Sequence, residues 1–421
     1  MHRTALRGVT LAVAFTLTVA LIAASGAGAS ARPSAKKPPK VAGFDGKTIR
    51  LGVVTPLSGL VSVLGKPLTT GNETYWEYVN AGGGVGGKYK VELDEQDSQY
   101  QVEAALQGYD KVKDDIVAFQ QILGTQITLA LLPKLKVDKL SAAPATLDAE
   151  WVKAAQLFPV GGPYQVQAIN AFAYYIKQAG GKGKKICAIA QDDAYGTAGL
   201  QGVAYAGKKL KFKVAKTVRF ATGSDVSAQI GQLADANCQA VWVGATAADA
   251  NSIITKAISR SFEPQMIAQA PFWLGSFAQT PSLQSFLEQH LWLASEGPAW
   301  GDTSVPGMAQ MLQHQQQYAP NQQPDQYFEF GYAQAWAMDQ ILERAVKNGD
   351  LSRSGIQKAS NQVGTLTFGG LTGNYRYGTS ASKRNPPRSS TIFKVNPSEP
   401  VGLEVLAAVT SSAAKSYTFK K

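Results

Sequence analysis

Residues 48–99 constrain the fold more than any other stretch, because they form a complete strand–helix–strand unit with its own punctuation. Residues 49–55 are a β-branched run stopped by Pro56, which suits a buried strand. The loop 56–65 holds turn-forming residues and no charge, so its backbone is free to lie bare at a strand's carboxyl edge. Leu68, Tyr75 and Val79 recur at helical spacing, and the helix stops at a glycine-rich stretch beginning at Asn80. Residues 90–94 read as a second strand, with Asp97 or Ser98 expected to cap the helix that follows.

The same rhythm continues. Val102, Ala105, Leu106, Tyr109 and Val112 mark an amphipathic helix, and 116–119 a third strand. That strand runs through Leu123 and Gly124 to Thr125 or Thr128, either of which suits a helix cap whose N–H groups point at a cleft. A short strand over 140–145 ends at Thr146. After a turn-rich break at 158–163 the alternation begins again: strands at 184–190, 213–220, 240–244 and 265–269, with helices between them. Residues 291–298 read as a return crossing, 326–346 as a long helix, and 390–395 and 403–409 as closing strands. Two sequential α/β lobes, each a doubly wound parallel sheet, joined by three hinge crossings, are the fold this pattern predicts.

The ends stand apart from it. His2, Arg3 and Arg7 precede an apolar run over 9–23 and a small-residue zone, which together predict an export signal over 1–31. No cysteine follows the apolar run to carry a lipid, so no stable membrane anchor is expected in the mature chain, and a periplasmic or cell-envelope location is. Residues 32–46 read as a disordered basic, proline-rich spacer and 411–421 as a tail. The formal charge of +11 is concentrated there, because residues 1–40 hold six Lys and Arg and no acid. The remaining excess of 35 basic over 30 acidic residues is a mild solubility charge, with no nucleic-acid footprint.

Cys187 and Cys238 each open a predicted strand. A disulfide and two buried thiols are both compatible with that placement in an exported chain. The glycines at 82–87 follow a helix and precede a strand, the reverse of a dinucleotide site, and read as a turn. His290 and His314 lack ligand spacing and read as surface histidines, and Asp94, Glu95 and Asp97 read as caps and strand-edge residues. No nucleophile elbow, zinc helix or phosphate loop occurs, so neither an enzyme constellation nor a cofactor nor a metal is expected.

Residues 49–59 (IRLGVVTPLSG), 80–87 (NAGGGVGG), Glu95 to Asp97, the helix start at Gly124 and Thr125, and Tyr195 with Gly196 carry a family resemblance by their order and spacing. The chain resembles type I periplasmic solute-binding proteins of the leucine/isoleucine/valine-binding group. The resemblance implies a two-lobed binder that closes over a small molecule and delivers it to an ABC transporter permease. Lobe one would comprise 47–162 with 297–368, and lobe two 163–296 with 369–410. It implies a carboxylate site at Leu123, Gly124 and Thr125, helped by Ala145 and Thr146, and lobe-two contacts from Tyr195 and Thr246. The family's aromatic contact falls at Leu64. Its ammonium-binding acid falls within 270–273, where Phe272 and Trp273 stand and no carboxylate is present. That departure favours an apolar or aromatic carboxylate over a free branched-chain amino acid, unless Asp192, Asp193 or Glu296 supplies the charge. A ligand-sensing module reporting to a membrane receptor is the alternative, and an exported α/β enzyme a third.

Overall fold

Parallel strands with helical crossovers organise the molecule. The structure, a computed structural model, describes residues 37–419, so the export signal expected over 1–31 lies outside the described residues. The first lobe runs β1 (Thr48–Thr55), α1 (Ser62–Ala81), β2 (Lys90–Asp97), α2 (Val102–Val112), β3 (Ala118–Leu123), α3 (Thr125–Val137) and β4 (Ala142–Ala145). Its four strands are parallel, in the order β2-β1-β3-β4. The second lobe follows with α4 (Tyr164–Gln178), β5 (Ile186–Gln191), α5 (Ala194–Leu210), β6 (Val214–Phe220), α6 (Ser227–Asp235), β7 (Ala240–Gly244), α7 (Ala247–Ser259) and β8 (Gln265–Gln269). The helices α8 (Gly275–Ala278) and α9 (Pro281–His290) lead to β9 (Leu291–Ser295).

The chain then returns to the first lobe as α10 (Pro306–Tyr318), α11 (Gln326–Asn348) and α12 (Arg353–Ser360), followed by the small hairpin β10 (Thr365–Leu366) and β11 (Tyr375–Arg376). It crosses back to close the larger sheet with β12 (Ser390–Val395) and β13 (Leu403–Val409), and ends in α13 (Ser412–Lys415). The larger sheet has the order β13-β12-β9-β8-β7-β5-β6, parallel from β6 to β9 and antiparallel at β12 and β13. No helix among the described residues is long and apolar enough to cross a membrane.

The two lobes rest on different devices. In the first, α1 and α11 pack backbone to backbone. A Cβ on Gly71 would sit 2.1 Å from the Phe328 carbonyl oxygen, and one on Gly331 1.9 Å from that of Leu68. That approach seats Leu68, Trp76, Phe328 and Tyr332 in the core, each fully or almost fully buried and each worth roughly 1.5–3 kcal/mol of burial. A polar bridge ties α1 to β3: Gln120 Nε2 donates to Asn72 Oδ1, and Asn72 Nδ2 donates to Gln121 Oε1. In the second lobe Cys187, in β5, and Cys238, just before β7, form a disulfide with Cα atoms 5.8 Å apart.

Several sequence expectations need correction. Asp97 does not cap α2, whose N-cap Gln101 makes no side-chain bond. Asp97 instead accepts from the Leu57 N–H, the Ser58 hydroxyl and the Gln99 N–H, stapling the loop after β1 to the end of β2. The disordered spacer expected over 32–46 does not hold at Val41 and Phe44, which exchange backbone hydrogen bonds, with Phe44 buried. His314 is not a surface residue: its Nδ1 lies 2.6 Å from the Tyr332 hydroxyl and its ring stacks on Tyr78. The second strand extends to Asp97 and the third to Leu123.

Two outcomes follow from this packing. Gly331→Ala should destabilise the protein by roughly 1–3 kcal/mol, since neither backbone has a flexible side chain to move aside, and denaturant titration would read it. Replacing both cysteines by alanine should cost about 2–4 kcal/mol, because the bridge closes a long loop. Ligand affinity should survive that change, since the bridge sits at the amino edge of the sheet, away from the loops described next.

Candidate functional site

In both sheets the helices start at the carboxyl edge of the strands, and these two edges face one cavity. Helices of opposite lobes meet around it, α1 with α7 and α3 with α5. The cavity holds about 120 Å³, room for on the order of ten water molecules or ligand heavy atoms.

The lobe-one wall begins with Leu64 and Leu68 of α1 and continues with Leu123, Gly124 and Thr125 at the end of β3, then Ala145 and Thr146 at the end of β4. Gly124 has φ +114°, a conformation that side-chain-bearing residues rarely adopt, and its carbonyl receives the Thr128 N–H. No side chain caps α3, so its first N–H groups open toward the cavity. Neither Thr125 nor Thr128 therefore plays the expected capping role. Thr125 Oγ1 instead meets Thr146 Oγ1 at 2.5 Å, placing two hydroxyls beside the bare helix start.

The lobe-two wall brings Tyr164, Tyr195, Thr246, Ala270 and Pro271. Tyr195 donates its hydroxyl proton to the Ala245 carbonyl at 3.0 Å and packs edge-on against Tyr164. Burial pushes the phenols of Tyr195, Tyr164 and Tyr327 upward, so all three stay neutral. Thr246 Oγ1 is buried without a partner.

Phe272 and Trp273 are not on this wall. The helical turn Ala270–Phe272 presents Ala270 and Pro271 to the cavity and rotates both aromatics into the lobe core. There Trp273 donates its indole N–H to the Val401 carbonyl at 2.8 Å. Asp192 and Asp193 are also spent elsewhere, Asp192 paired with Arg219 and Asp193 capping α5. Glu296 alone of the three suggested acids lines the cavity.

Sequence reading missed several contributors, including Tyr100, Tyr164, Trp300, Glu329 and Phe330. Glu329 had a visible signal: a carboxylate in the first turn of an otherwise aromatic helix, two residues after Tyr327.

A family model described as periplasmic binding protein matches residues 48–399. The chain belongs to this family. Among solved structures, this periplasmic binding protein is similar to a fatty acid ABC transporter substrate-binding protein from Thermomonospora curvata. The TM-score is 0.83 at 23% identity, covering 91% of this chain and 97% of that one. It is also similar to a branched chain amino acid ABC transporter protein from Thermus thermophilus with bound valine, at TM-score 0.74 and 16% identity over 88% and 98% of the two chains. A leucine binding protein from Thermotoga maritima gives TM-score 0.71 and 16% identity over 86% and 99%. No curated protein sequence matches.

In this periplasmic binding protein a buried carboxylate sits where the crossings come together. Glu296, at the start of the second crossing, accepts a hydrogen bond from the Gly162 N–H of the first at 2.7 Å. Gly373 of the third lies beside the same carboxylate, where a Cβ on it would sit 3.9 Å from Glu296 Oε2. Further along that third crossing Arg384 donates to the carbonyls of Ala154, Ala155 and Leu157. Burial raises Glu296 from 4.5 to about 7 against the hydrogen bond from Gly162. Asp325 and Asp339 are raised by burial to about 6.

The sign of the resulting pH dependence follows directly. Folded protein keeps these protons where unfolded chain has lost them, so stability falls as pH rises from about 4.5 to 7. For Glu296 the span is worth on the order of 3 kcal/mol. Thermal unfolding should therefore shift upward on going from about pH 8 to about pH 5.5, and Glu296→Gln should flatten part of that slope. A melting point that climbs toward pH 8 would contradict the assignment.

Proposed function

We propose that this protein is the extracytoplasmic solute-binding component of an ABC importer, holding a small apolar carboxylate between its lobes. What supports the reading is the combination at the lobe-one wall: an uncapped helix start, two hydroxyls and no basic side chain, opening into a cavity that also presents Leu64, Leu68, Trp300, Phe330 and Ala333. Main-chain N–H groups at a helix start bind an anion without the desolvation cost of a buried guanidinium or ammonium. Leu64, Leu68, Trp300, Phe330 and Ala333 would take the apolar body.

The solute would dock first on Gly124, Thr125 and Thr146. Rotation of 47–162 and 297–368 against 163–296 and 369–410 would then bring Tyr195 and Thr246 onto it, producing the closed shape a permease distinguishes. The names of the structural neighbours agree with this class: one is named for fatty acids and another holds valine. Cavity size sets the range. Room for on the order of ten heavy atoms suits a branched, aromatic or medium-chain acid and is short for a long-chain one.

Isothermal titration calorimetry on a panel of such acids tests the proposal. Branched, aromatic and medium-chain members should bind, and palmitate should bind weakly in comparison. Thr125→Ala and Thr146→Ala should each cost roughly 1–2 kcal/mol, a loss of about 5- to 30-fold in affinity. Absence of heat with every carboxylate would refute the assignment.

A further inference from the structure

The basic residues of the folded chain are concentrated at one end of lobe two. Helices that cross back over a parallel sheet finish where the strands begin, so the turns before β5, β6, β7 and β8 share its amino edge, opposite the cavity. Val214, Ile186, Ala240 and Gln265, each the first residue of its strand, pair in one row along that edge. The four turns, 177–185, 208–213, 235–239 and 260–264, hold nine Lys and Arg against the two acids Asp235 and Glu263. That excess is larger than the excess over the whole of residues 41–421, so the rest of that span is acidic on balance.

All nine basic side chains are exposed, and none is in an ion pair among the described residues. Helix ends account for some of them. Lys177, Lys208, Lys209, Lys211 and Arg260 lie at the carboxyl ends of α4, α5 and α7, where the helix dipole favours a cation. Lys182, Lys184, Lys185 and Lys213 have no such reason to be there. Phe212 packs inward on Phe172, with ring centroids 5.1 Å apart, and leaves Lys211 and Lys213 outside on either side of it. Like charges gathered on one face repel each other and destabilise the compact state.

We infer that this end of lobe two is a reversible docking face for a bilayer rich in anionic lipid, held by headgroup phosphates. Eight of the nine cations are lysines, point charges without the planar fork that grips a single phosphate through two bonds, so the face suits a diffuse layer of negative charge. The cations spread over the starts of four adjacent strands, β8-β7-β5-β6, rather than tracking one line. That layout matches a plane of headgroups better than the backbone of a single polymer. Each cation held near such a plane favours the bound state on the order of fivefold. Contact here leaves the cavity free, because it opens at the other edge of the same sheet, and is independent of which solute the cavity takes.

Cosedimentation of the full mature protein with lipid vesicles is the test. At about 0.1 M salt, vesicles of phosphatidylcholine containing about one-third phosphatidylglycerol should carry the protein down, and pure phosphatidylcholine should not. Raising the salt to about 1 M, where the Debye length falls to about 3 Å, should release it. The combined changes Lys184→Gln, Lys185→Gln, Lys211→Gln and Lys213→Gln should lower partitioning at least about 100-fold. Removing as many exposed charges from lobe one, through Lys88→Gln, Lys90→Gln, Lys136→Gln and Lys139→Gln, should change it less than about fivefold. Absence of binding to the anionic vesicles, equal binding to both lipids, or an equal loss in the two variants overturns the inference. So does binding of soluble polyphosphate with the vesicles left unbound, which assigns the face to a polymer. The lipid and salt comparison on the unaltered protein decides the matter even if a variant does not fold.

Discussion

Parallel strand pairing is the constraint on which the rest depends. A parallel ladder requires each strand to return to its starting edge through a helix, so the loops leading into those helices collect at the carboxyl edge. In this protein both sheets obey that rule, and their carboxyl edges confront each other. Leu123 to Thr125, Ala145, Thr146, Tyr195, Thr246 and Ala270 come from separate loops and two lobes, yet share one cavity for this single topological reason. The antiparallel pair β12 and β13 ends the larger sheet where the chain must arrive from the other lobe.

The cavity's polarity is asymmetric in a way that composition alone does not suggest. A chain with a net positive charge places no basic side chain along the cavity wall. The open N–H groups at the start of α3 cost little to bury, because a helix start leaves them without intrahelical partners in any case. The cavity's two carboxylates sit at the pivot, where burial of an uncompensated charge costs several kcal/mol. An ordinary buried hydrogen bond contributes about 1 kcal/mol. Electrostatics at the hinge therefore weighs more in the energetics of the cavity than any single hydroxyl of the lobe-one wall. Glu296 also accepts from the Gly162 N–H, so a carboxylate of the cavity wall is tied to the first crossing.

Much of the architecture was legible along the chain because period and punctuation are local. The unit over 48–99, the closing strands Ser390–Val395 and Leu403–Val409, and the start of α3 all announce themselves within a few residues. The misreadings have a common cause in partners far away in sequence. Gln120 and Gln121 look like the end of a strand, yet they lie inside β3, buried because Asn72 of α1 meets both side chains. His314 looks like a surface residue until Tyr332 and Tyr78 close on it. Phe272 and Trp273 follow the right strand for a ligand contact, but a one-turn helix begun at Ala270 carries them into the core.

By itself, the amino-acid order determined the two wound-sheet lobes, the likeness to solute binders, and the helix start at Gly124, because hydrophobic period, glycine placement and turn chemistry act over short separations. Only the tertiary structure decided which side chains face the cavity, that Cys187 and Cys238 are joined, and that Glu296 and Glu329, 33 positions apart, stand side by side. Those outcomes depend on how two lobes and three crossings are set against each other. Local pattern carries no record of such long-range contacts, since the same strand or helix is compatible with many rotations of its neighbours.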